Sequence, residues 1–126
     1  MRLLLLAAGG GAIGAGARYL VNATCATCLG VAFPWATLIV NVAGSFLMGI
    51  LVASAVPLMG GSAEWRTFLA TGILGGFTTF SAFSLDAWQL LERQQTALAV
   101  GYIGGSVVLS IAGLVAGLAS ARALLS

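Results

Sequence analysis

Residues 19–63, 67–85 and 94–121 carry no charged side chain at all. About 20 apolar residues, each rising about 1.5 Å, cross the hydrocarbon core of a bilayer, so every one of these runs can hold at least one span. The charges punctuate the runs instead, at Arg2, Arg18, Glu64, Arg66, Asp86, Glu92, Arg93 and Arg122. With 60% of 126 residues hydrophobic and 6% charged, the chain reads as one small transmembrane domain, residues 1–126.

The fold class that follows is all-α, with four transmembrane helices near 3–21, 35–56, 65–92 and 96–123. The first segment opens like a secretory signal, because Arg2 precedes LLLLAA. Its apolar stretch then continues through GGGAIGAGA to Arg18 without a cleavage site, so a retained helix is expected. The stretches NATCATCLGVAFP (22–34) and VPLMGGSAEW (56–65) supply the first two connections.

Several chemistries are excluded. Cys25 and Cys28 form a CxxC in the first connection, but the chain has no histidine to complete a metal site with them. Two incidental small residues near the interface are the simpler reading of that pair. The three carboxylates lie near helix ends with no visible partner for general acid–base work, so no enzyme is expected. The net charge of +2 comes entirely from arginine and gives no nucleic-acid footprint, and no nucleotide-binding motif is present.

Orientation is nearly undecided by charge. Arg2, Arg66 and Arg122 fall on one side of a four-span chain, and Arg18 and Arg93 fall near the other. A three-to-two split barely engages the positive-inside rule, so either insertion is open, and oppositely inserted copies could pair as an antiparallel dimer. A lone four-helix bundle of this size leaves little room for an aqueous path, which favours transport along an interface between subunits. Glycine pairs at a spacing of four (Gly10 and Gly14, Gly101 and Gly105, Gly113 and Gly117) fit close helix packing and need no chemistry.

Polar residues within the spans are more informative, because a hydroxyl or amide in hydrocarbon must find a partner or line water. Thr37, Asn41 and Ser45 recur at a spacing of four and share one helical face, as do Tyr102, Ser106 and Ser110. Hydroxyls often bond back to their own helix, but the two amide donors of Asn41 exceed what one carbonyl can accept. In GILGGFTTFSAFS (72–84), Gly72, Gly75 and Gly76 followed by Thr78 and Thr79 are expected to interrupt the third helix. A break frees carbonyls on one side and amides on the other, which suits a cation at one place and an anion at another. Irregular backbone at membrane depth is tolerated only inside protein or beside a cavity. Phe80 and Phe83 follow three residues apart, a spacing more often used for packing.

Together with WATLIVNVAGSFLMG (35–49) and GGGAIGAGARY (9–19), this stretch resembles the small bacterial fluoride channels, the Fluc or CrcB family, over essentially the whole chain. The resemblance implies an antiparallel, dual-topology homodimer in the bacterial inner membrane, with two pores and passive, selective export of fluoride. It implies that Phe80 and Phe83 are the paired rings of the ion path and that Asn41 is its amide. Thr79 and Ser81 belong to the same motif, and Thr37, Tyr102, Ser106 and Ser110 match the hydroxyl track. It further implies a structural sodium ion at the dimer axis, held by main-chain carbonyls of Gly75 and Thr78. Arg18 is a candidate entrance charge, with snorkelling to the interface as its simpler role. Two positions depart from the family pattern: Ala36 stands for a glycine and Ala82 for a threonine. A dimeric proton-coupled cation exporter is the alternative, and it would need an intramembrane carboxylate, for which Asp86 is the one candidate.

Overall fold

The computed structural model describes residues 1–126 as an all-helical protein. Four stretches are long and apolar enough to cross a membrane: Arg2–Leu29, Trp35–Met59, Ala63–Glu92 and Thr96–Leu125. The first, second and fourth are the continuous helices α1, α2 and α6. The third consists of α3 (Ala63–Arg66), a π-helical segment (Thr67–Leu74), α4 (Gly75–Phe77), two extended residues, and α5 (Phe80–Glu92). Only 19 of 126 residues are buried within the chain, so most of the apolar surface must face lipid or another protein.

α1 continues two turns beyond the expected end near residue 21 and takes in Asn22–Leu29, including Cys25 and Cys28. Nothing in NATCATCL breaks a helix, and the Thr27 hydroxyl bonds back to the Ala23 carbonyl within it. The helix stops at Gly30, whose φ of +78° suits glycine. α2 likewise passes through Pro57 and stops at Gly60 in the left-handed region, with φ of +64°.

Packing divides the bundle into two pairs joined through the broken third span. α1 lies against the π-helical segment and α4, and α2 lies along α6. Each contact is made on glycines. A Cβ on Gly14 would strike the Ile73 carbonyl, and one on Gly10 would meet Gly72 Cα at 2.9 Å. Added Cβ atoms on Gly49 and Gly117 would collide with the Leu114 and Phe46 carbonyls across the α2–α6 contact. Such backbone-to-backbone approach is how apolar helices gain van der Waals contact in a medium that offers no hydrophobic drive. Gly101 and Gly105 do not take part, since nothing in the chain lies within 4 Å of either added Cβ.

The break in the third span hands the chain from one pair to the other. Upstream of it the span packs on α1, and downstream α5 joins α6 around Phe83, Ala87, Leu90, Ala99 and Tyr102. It falls within the stretch expected from the sequence and is narrower than that stretch. Gly72, Gly75 and Gly76 remain helical, and Gly72 and Gly76 serve the α1 contact, whereas Thr78 and Thr79 adopt extended conformations with ψ of 159° and 120°.

Candidate functional site

Four side chains hold the two-residue break in place. Asn41 on α2 accepts from the Thr79 N–H at 2.8 Å and donates through Nδ2 to the Thr79 carbonyl at 3.0 Å. The Thr78 hydroxyl donates to the Leu74 carbonyl at 2.9 Å, and Arg18 Nε donates to the Gly76 carbonyl at 3.1 Å. The Thr79 hydroxyl caps α5 by accepting from the Ala82 N–H. Asn41, Arg18 and the Thr79 hydroxyl thus replace helical bonds that the break removes, as irregular backbone in a membrane requires, while the Thr78 hydroxyl adds a second donor to a carbonyl that already accepts from the Thr78 N–H.

Two carbonyls lose their ordinary helical donors through these contacts. In an unbroken helix Thr79 N–H would bond the Gly75 carbonyl and Ala82 N–H would bond that of Thr78. Both N–H groups are engaged elsewhere, on Asn41 and on the Thr79 hydroxyl. The main-chain oxygens of Gly75 and Thr78 are therefore chemically suited to a hard cation, which takes neutral oxygen ligands.

Beside the break lies an open groove of about 380 Å³, lined by Asn41, Ser45, Phe80, Phe83, Ser106 and Ser110 among others. The ring centroids of Phe80 and Phe83 are 5.4 Å apart with planes tilted by 48°. The two rings sit differently: Phe80 is 78% exposed, while Phe83 is 8% exposed and packs on Tyr102 with centroids 5.3 Å apart. The Ser106 hydroxyl is buried and has no hydrogen-bond partner within the chain. An unpaired hydroxyl costs about 1–3 kcal/mol in such a place, so a partner from outside the chain would stabilise it. Asn41 also keeps one amide hydrogen beyond the one given to Thr79.

The structure brings Asn41, Thr78, Thr79, Phe80, Phe83, Ser106 and Ser110 together on this groove, while Thr37, Tyr102, Ser81, Gly75 and Arg18 are not part of its lining. Thr37 is buried and lines a second cavity, of about 290 Å³, near the α1–α2 connection. Tyr102 is 1% exposed between the two spaces, and its hydroxyl donates to Asp86 Oδ2 at 3.2 Å. Ser81 is exposed on α5 with its hydroxyl 3.4 Å from that of Thr79. Asn41 and Ser45 of one stripe and Ser106 and Ser110 of the other thus share the groove, and Thr37 and Tyr102 lie beyond it. Arg18 is partly buried, and its Nε bonds the Gly76 carbonyl.

Two contributors escape a reading of the sequence alone. Gly44 is buried where an added Cβ would collide with the Thr78 methyl group, so it makes room for the break. Asp86 anchors Tyr102 from sixteen residues away on another helix, a pairing that no local spacing signals.

Residues 5–118 match the family model described as CrcB-like protein, Camphor Resistance (CrcB). A protein of Cereibacter sphaeroides named fluoride-specific ion channel FluC is 58% identical over 119 residues, 94% of either chain. Proteins of the same name from Rhizobium meliloti and Rhodospirillum centenum are 53% and 48% identical, covering 98% and 97% of this chain and 99% and 97% of their own.

Proposed function

This chain belongs to the CrcB family, a class of multi-pass membrane ion channels rather than enzymes, and we propose on that premise that it conducts fluoride passively and selectively. The observation that carries the reading is the groove at the pinned break, where free donors and aromatic edges meet without a full positive charge. Fluoride is small and strongly hydrated, so a path for it must replace water with donors. The spare amide hydrogen of Asn41 and the hydroxyls of Ser106 and Ser110 supply them beside Phe80 and Phe83. Ring edges carry the positive part of the aromatic quadrupole and can face an anion. Neutral donors also let the ion leave, which conduction demands as much as binding.

The working assembly in this proposal is an antiparallel, dual-topology homodimer in a bacterial inner membrane. The groove is open along one side of the chain, and a second copy closing over it would surround its most exposed ring, Phe80. Thr37, Thr79, Ser81 and Tyr102 extend the proposed hydroxyl track across the assembled pore. A sodium ion at the dimer axis would be held by the Gly75 and Thr78 carbonyls, which have lost their helical donors. Its role would be to neutralise the carbonyl ends of the two breaks.

The test is efflux from liposomes holding purified protein. Fluoride should leave without a proton gradient or nucleotide, while chloride is retained. Retention of fluoride by vesicles that contain folded protein would overturn the channel reading. Efflux that requires a proton gradient would favour the exporter based on Asp86.

A further inference from the structure

The third span carries a hydroxyl that the groove does not use. Thr71 lies in the π-helical segment, is exposed, and makes no hydrogen bond within the chain, whereas the hydroxyls of Thr27, Thr78 and Ser84 each bond back to the carbonyl four residues earlier. It stands about 10 Å from the middle of the Ala63–Glu92 span, inside a hydrocarbon core about 30 Å thick. A hydroxyl at that depth must find a partner, and a lipid tail offers none. Gly75 follows one turn later and is exposed as well, and an added Cβ there would meet only the Ala70 carbonyl of its own segment, at 3.4 Å. Thr71 and Gly75 thus present a hydroxyl and bare backbone on a face that nothing in the chain covers, and neither residue lines the groove.

The chain also carries a surface that matches this face. Downstream of the break Ser84 is exposed on α5, and its hydroxyl donates to the Phe80 carbonyl, which leaves the oxygen able to accept. Thr71 and Ser84 stand on opposite sides of Thr78 and Thr79, each about 10 Å along the span from them. A copy inverted about the break therefore brings its own Ser84 to the depth of Thr71. The relation holds in both directions, as a two-fold contact between identical chains requires. The face also ends at Gly75, whose carbonyl lies at the proposed dimer axis.

We infer that the Thr71–Gly75 face is a contact with a second, oppositely inserted copy, in which the Thr71 hydroxyl donates to the hydroxyl oxygen of Ser84 of the partner subunit. The inference rests on the proposed antiparallel dimer and names side chains that hold its two third spans together on either side of the break. Neither hydroxyl is a part of the ion path.

Cross-linking tests the juxtaposition. Cys25→Ser/Cys28→Ser protein carrying Thr71→Cys and Ser84→Cys is oxidised in liposomes by oxygen with copper phenanthroline, which takes up the two electrons and two protons released as the S–S bond forms. Within one chain the two positions are about 20 Å apart along the span, so a disulfide between them must join two copies. A covalent dimer should be the main species on a non-reducing gel, and either cysteine alone should give none. Thr71→Val supplies a second reading, since it removes the donor and leaves the ion path untouched. Loss of two symmetric hydrogen bonds should raise the dimer dissociation constant in liposomes about fivefold to tenfold, and Thr71→Ser should restore it.

A dimeric parent whose Thr71→Cys/Ser84→Cys form gives no cross-link would overturn the contact. So would a Thr71→Val protein that dimerises as tightly as the parent. A monomeric parent, or a Thr71→Cys protein that cross-links to its own kind at that one position, would refute the antiparallel dimer itself, which keeps the two failures distinct.

Discussion

Asn41 works on the backbone and on the ion path at once, and its substitution should show both effects. Asn41→Ala strips the Thr79 N–H and carbonyl of their partners. A part-buried donor left unpaired costs about 1–3 kcal/mol, so thermal unfolding in detergent should occur earlier and fluoride efflux should be lost. Asn41→Asp should also abolish efflux, because a carboxylate oxygen would face the Thr79 carbonyl where an N–H now donates. Wild-type efflux from both variants would remove Asn41 from the path. The two phenylalanines should behave differently from each other. Phe83→Ile opens space against buried Tyr102 and should cost about 1–3 kcal/mol together with efflux. Phe80→Ile changes a ring exposed within the chain, so it should lose efflux with little change in monomer stability. Equal stability losses from both would assign the rings to packing. The sequence marked Asn41 through its surplus of donors. Its partner lies thirty-eight residues away, which spacing on one helix has no means of revealing.

The helices themselves were legible because uncharged runs long enough to span a bilayer leave few alternatives. The nature of the break was not. Glycine weakens a helix in isolation, yet Gly72 and Gly76 stay helical because α1 approaches them too closely for any side chain. Of the expected stretch only Thr78 and Thr79 leave the helix, and there Asn41, Arg18 and the Thr79 hydroxyl supply the missing bonds. The π-helical turn preceding it also had no sequence signature. This distinction between packing glycines and unpartnered ones can be measured. Gly14→Ala would collide with the Ile73 carbonyl, separating α1 from the third span at a cost of about 1–3 kcal/mol. Gly9→Ala meets nothing within 4 Å and should stabilise the chain by up to about 1 kcal/mol, through the helix propensity of alanine. Thermal unfolding of the two proteins in one detergent reads the difference, and equal midpoints would sink the packing assignment.

At the scale of the whole molecule, the arginines bear on how copies can assemble. Arg2, Arg66 and Arg122 sit toward one end of the bundle and Arg93 toward the other. Arg18 lies about three turns before the end of α1, bonded to Gly76, and so belongs to the bundle more than to a connection. The imbalance at the ends is therefore greater than a simple count of arginines suggests, yet it is small enough for added charge to override. Ala123→Lys with Ser126→Lys strengthens the first end, and Gln94→Lys with Gln95→Lys strengthens the second. Each pair should drive all copies into one orientation, which accessibility labelling from outside the cell will report. If the groove is completed by an oppositely inserted copy, either population alone should release fluoride only at background rates. Co-expression of both should restore efflux, because each then supplies the orientation that the other lacks. Full efflux from a single forced orientation would overturn the antiparallel dimer while leaving the fluoride path open to a parallel or monomeric form.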